Sequence, residues 1–127
     1  MSQLRGIEQF RRNLEALDRK VRNKILRQAL RDGAKRMAAS VKSRAPVSSG
    51  KLKRSVKVRT GRRKKDTISV DVVVTGGHET PMVAAVEYGR DGQAPRPFIR
   101  PAFQAEKDPA RDLVFAQVKA AIAAAGR

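Results

Sequence analysis

The chain has 127 residues, which at the usual ~100–200 residues per domain makes one domain with a modest core. It holds no cysteine and a single histidine, His78, which excludes disulfide staples and an ordinary zinc site. The formal net charge is +17 and lopsided: residues 1–65 carry 22 Lys and Arg against four acids, residues 66–127 seven against eight.

A basic half of this kind fits an anionic neighbour, whether nucleic acid, an acidic protein surface or anionic lipid. The N-terminus lacks an apolar signal core, and no stretch approaches the ~20 apolar residues of a membrane span. A soluble protein of the cytoplasm, or one assembled from it, with no membrane partner is therefore expected.

Taken in order, Leu4, Ile7, Phe10, Leu14, Leu17 and Val21 recur every three or four residues. Ile25, Leu26, Ala29, Leu30, Ala34, Met37, Ala38 and Val41 continue the stripe, with charge opposite. One helix through all of them would be ~60 Å long, against the ~35–40 Å expected across a compact domain of this size. Either it projects onto another subunit or it breaks. The favoured reading is a break at Asp18, a second N-cap after Ser2, giving helices over about 3–17 and 19–43. Gly33, costing about 1 kcal/mol relative to Ala inside a helix, marks a close helix crossing.

Ala45-Pro46 ends this region, because the residue before a proline avoids the α conformation. Leu52, Val56 and Val58 predict a strand over about 52–60, and Ile68, Val70, Val72 and Val74 alternate as a second. Between them Gly61–Asp66 is a basic hairpin tip. Met82–Tyr88 has no clean period and is expected to be a short strand ending at Gly89. Pro101 opens a last helix, Asp108-Pro109 is expected to restart it, and Ala110, Leu113, Val114, Val118, Ala121, Ile122 and Ala125 form an apolar stripe at helical spacing.

The predicted fold is α+β. An N-terminal basic helical arm (1–44) precedes a small antiparallel β-sheet region with a long basic hairpin (52–89). A loop and a C-terminal helix packed on the sheet follow (90–127), all within the single domain 1–127.

Catalytic patterns fail one by one. Gly50-Lys51 does not make a phosphate loop, because position 45 is Ala and position 52 is Leu. No nucleophile elbow accompanies His78. Glu106 and Asp108 are too badly spaced to meet on a helix. The expectation is no enzyme, no cofactor, no metal and no small-molecule substrate.

Two groups of residues remain as candidates. Lys51, Lys53 and Arg54, with Arg62, Arg63, Lys64 and Lys65 at the tip, are candidate contacts to DNA or an acidic partner. No aromatic residues lie among them to stack on bases. The second group lies in residues 83–102, where the chain's single tyrosine meets one of its four phenylalanines. Tyr88 and Phe98 are expected to fill the gap between sheet and helices, with Gly89 making the turn. Glu87 is expected to anchor an Arg or Lys of the N-terminal half, in this subunit or the next, and Arg96 and Arg100 to form a charged rim. Glu87, Tyr88, Gly89, Arg96, Phe98 and Arg100 are thus candidates for a subunit or partner interface.

Three elements in order, Ala45-Pro-Val-Ser-Ser-Gly-Lys-Leu-Lys-Arg-Ser55, Val86-Glu-Tyr-Gly89 and Arg96-Pro-Phe-Ile-Arg-Pro-Ala102, resemble a known pattern. It is that of the neck or tail-completion (head–tail joining) proteins of long-tailed DNA phages and prophages, the gene-product-ten-like family of lambdoid siphophages. The resemblance covers about residues 1–125 and departs at Arg90, where threonine often stands. It implies a virion component at the head–tail junction, assembled in the bacterial cytoplasm as a homo-oligomeric ring. Its implied partners are other neck and tail proteins: a head-completion or adaptor ring, the tail terminator or the tail tube. Genomic DNA passes the same neck. The alternative reading is a non-specific basic DNA-binding protein.

Overall fold

The computed structural model describes residues 2–45, 51–61, 64, 67–74, 86–89, 92 and 94–125. Helix α1 (Ser2–Glu15) and helix α2 (Arg19–Arg44) are separate, as the length argument predicts. The last turn of α1 tightens, with Leu17 N–H donating to the Leu14 carbonyl at 3.2 Å. Asp18 then takes an extended conformation at the N-cap of α2, but its side chain makes no capping bond. Ser2 already lies inside α1 rather than capping it. At the other end of α2, Ala45 is extended ahead of its proline and returns its N–H to Val41 at 3.0 Å.

A single turn of helix, α3 (Lys51–Arg54), occupies the start of the expected first strand. Strand β1 (Val56–Thr60) therefore begins later, and β2 (Val70–Val74) is likewise shorter than its alternation predicted. The two pair antiparallel, Val56 with Val74, Val58 with Val72 and Thr60 with Val70. Beyond Thr60, Gly61 N–H donates to the Ser69 carbonyl at 2.8 Å, and Lys64 pairs with Thr67. A two-stranded sheet is marginal alone. Here its apolar face lies on α2 and shares one core: Ala38, Val41, Ala45, Val56, Val86, Phe98 and Ala102, with Val58, Val72, Val74 and Ile99 around them.

The C-terminal helix, α4 (Ile99–Ala125), enters that core with its first turn and then runs along α2. Its path does not break at Asp108-Pro109: Pro109 lies inside one continuous helix. The proline removes the N–H that would bond the Ala105 carbonyl, but Ala105 is exposed, so water can take that place. At the crossing, a Cβ on Gly33 would lie 2.7 Å from Val114 Cγ2, so the glycine is what lets the helices approach. Buried Ala29 and Val118 line the same two helices, and Arg36 Nε meets Glu106 Oε2 at 2.8 Å across them. Helix α1 joins through Phe10, set edge-on to Phe115 at 5.3 Å between ring centroids.

Candidate functional site

The segment expected to be a strand ending at Gly89 is helical where it is described: Val86–Tyr88 form one turn. Residues 75–85, His78 among them, lie outside the described set. The turn changes which side chains point inward. Val86 and Glu87 are buried, while Tyr88 is 68 % exposed rather than core. Gly89 follows at φ 79°, the left-handed conformation that ends such a turn and that glycine adopts without a Cβ clash. Arg96 N–H then donates to the Val86 carbonyl at 2.7 Å, tying the two halves of the segment together.

Glu87 is the centre of this joint. The first four N–H groups of any helix lack partners within it. In α4 they belong to Phe98, Ile99, Arg100 and Pro101, and Pro101 has none. Glu87 Oε2 accepts from Phe98 N at 2.7 Å and Ile99 N at 3.0 Å, and Oε1 from Arg100 N at 2.9 Å. One carboxylate and one proline thus account for the whole N-terminus. The negative charge also sits at the positive end of the helix dipole.

Arg100 closes the clasp from outside. Its Nε donates to Glu87 Oε1 at 3.0 Å and a terminal nitrogen to the Glu87 carbonyl at 2.8 Å. The guanidinium lies 4.8 Å from the centre of the Tyr88 ring. Burial pushes the Glu87 carboxyl up, but the N–H groups of Ile99, Arg100 and Phe98 and the Arg100 guanidinium outweigh it. The net result is a pKa below the ordinary 4.5. Within the chain the cation held by Glu87 is thus Arg100, from the C-terminal half, and not one of the N-terminal half as its charge excess implied.

Of the six candidate interface residues, Glu87 and Phe98 are internal, Phe98 with no exposed surface at all. Gly89 is half-buried, and Tyr88, Arg96 and Arg100 form an exposed rim over them. The basic candidates are less gathered. Lys53 is half-buried and Arg54 exposed in α3, at the base of the hairpin. Exposed Lys64 lies beyond the far end of β1, a strand about 16 Å long at 3.3 Å per residue. Lys51 begins α3, while Arg62, Arg63 and Lys65 lie outside the described residues.

The sequence pattern does not show the clasp, because it places the helix start at Pro101; the helix begins two residues earlier, and its N-cap position falls on Phe98, whose side chain cannot cap. Among the described residues, no group of His, Asp or Glu is gathered to hold a metal ion, and no helix is long and apolar enough to cross a membrane. Nor does any buried side-chain polar atom among them lack a hydrogen bond.

Among the described residues Glu87 is the one buried acid, and its carboxylate is occupied in seating α4. The family model described as "Bacteriophage HK97-gp10, putative tail-component" matches residues 8–89, and the chain belongs to this HK97-gp10-like phage tail-component family. The match includes the Ala45–Ser55 and Val86–Gly89 elements and stops before Arg96–Ala102. No match was found among curated proteins or among solved structures.

Proposed function

We propose that the chain completes the tail and joins it to the DNA-filled head, acting as a multimer at the neck of the virion. The observation that supports this reading most is the family match from α1 through the Glu87 turn. In this reading Tyr88, Arg96 and Arg100 are the contact rim, and Glu87, Gly89 and Phe98 hold it in place from beneath. The partners are a neighbouring copy and the rings on either side, a head-completion or adaptor ring and the tail terminator or tail tube. Exposed Ile7, Val21, Phe103 and Phe115 offer further apolar surface for neighbours. A ring built from one chain uses two different faces of each subunit, as head-to-tail contacts require. Deleting the gene and imaging the particles tests the reading: full heads and finished tails should accumulate unjoined. Normal joined particles would overturn it.

A further inference from the structure

Helix α2 carries a cation stripe that the clasp does not explain. Lys20, Lys24, Arg27, Arg31 and Lys35 follow one another at spacings of four, three, four and four residues, which places them on one face. All five are exposed. From Lys20 to Lys35 the stripe spans about 22 Å at 1.5 Å per residue. Among the described residues, none of the five pairs with an acid: the ion pairs there use Arg11, Arg36, Arg100 and Arg111. Like charges three and four residues apart on a helix repel, so the free protein carries a strain that a row of anions would relieve.

We infer that this face of α2 binds the phosphate backbone of duplex DNA. Three observations favour duplex DNA over an acidic protein surface or a single strand. Exposed Val21 flanks the stripe only at its N-terminal end, so no large apolar or aromatic residue lies at its middle to form the water-excluding centre of a protein interface. It has no aromatic residue to stack on an unpaired base either, which leaves the regular backbone of a duplex. Its five charges in one straight row match a linear polyanion. Arg31 also donates to Thr60 Oγ1 at 3.1 Å, which fixes the middle of the stripe to the end of β1. The inference stands independently of a place at the neck.

Fluorescence anisotropy of a labelled duplex of random sequence, titrated with the full chain at several salt concentrations, tests it. Five phosphate contacts predict an affinity loss of about 500-fold between 50 and 200 mM salt. The variant K20Q/K24Q/R27Q/K35Q keeps Arg31 and its bond to Thr60, and it should lower the salt slope by about 3–4. A control that neutralises four cations elsewhere, R12Q/K107Q/R111Q/K119Q, should leave most of the slope in place. Equal loss in both variants would overturn the stripe as a site and leave net charge alone. Poly-glutamate binding at low salt as tightly as duplex would overturn the choice of DNA. Circular dichroism at each step checks the fold, which loss of like-charge repulsion should preserve.

Discussion

Glu87 and Phe98 are eleven residues apart, and the Glu87 carboxylate receives the Phe98 amide at 2.7 Å. That bond makes an exposed corner and a buried helix start into one unit. The same carboxylate binds the next two amides, so Phe98 can be driven fully into the core without leaving its backbone unsatisfied.

Replacing Glu87 with Gln should therefore cost stability well beyond a surface change. The amide keeps one acceptor oxygen but turns an NH2 toward helix N–H donors and loses the charge. Urea denaturation should show a loss of about 2–3 kcal/mol, in the range for hydrogen bonds to a charged group. Arg100→Ala should cost only about 1 kcal/mol, because its side chain is 55 % exposed and the three backbone bonds to Glu87 remain.

The same site sets an acid limit. Because the folded Glu87 pKa is held below 4.5, the unfolded state binds the proton more readily. The stabilisation is fully present above about pH 4.5, the ordinary value, and is lost as pH falls through the lower folded value. Melting temperatures of the wild type and Glu87→Gln should differ at pH 7 and converge as the pH drops below that range. A gap that stayed constant down to about pH 3, well under the ordinary carboxylate value, would contradict the assignment.

Gly33→Ala sets two effects against each other. Helix propensity favours alanine by about 1 kcal/mol. Against it, the new methyl would lie 2.7 Å from Val114 Cγ2, and overpacking a tight contact costs about 1–3 kcal/mol. Val114 is β-branched and cannot easily swing away, so net destabilisation of about 1 kcal/mol is expected. Adding Val114→Ala should remove the clash, so the double variant should cost less than the two single changes added together.

Phe98→Ala should cost about 3–5 kcal/mol, as for a fully buried aromatic. In an infection it should therefore act through folding. Tyr88→Ala removes an exposed ring and one cation–π contact, and should cost no more than about 1 kcal/mol in a denaturation curve.

Much of this arrangement was legible in the residues. The long stripe from Leu4 to Val41 and the limit on domain size left a projecting helix or a break, and the favoured break occurs at residues 16–18. Gly33 announced a close helix approach, and Val70, Val72 and Val74 a half-buried strand. What local pattern missed was set by distant contacts. Met82–Tyr88 has no clean period, and the turn at Val86–Tyr88 places Glu87 on the amides of α4, a contact eleven and more residues away that no local pattern shows. Pro109 reads as a break, yet the packing of α4 against α2 on both sides of it keeps the helix continuous. Leu52 reads as the start of a strand because it shares even numbering with Val56 and Val58. The intervening even position is the cation Arg54, which interrupts that apolar face, and the chain makes a helical turn there instead.

The most direct measurement is the fraction of joined particles, counted by electron microscopy, when a deletion phage is supplied with the Tyr88→Ala protein. This variant is expected to keep its fold, because Tyr88 is exposed, so the count reads the contact rim. The proposed function predicts unjoined full heads and tails, as in the deletion. Joined particles at the wild-type fraction, with the protein folded and present at normal levels, would contradict it.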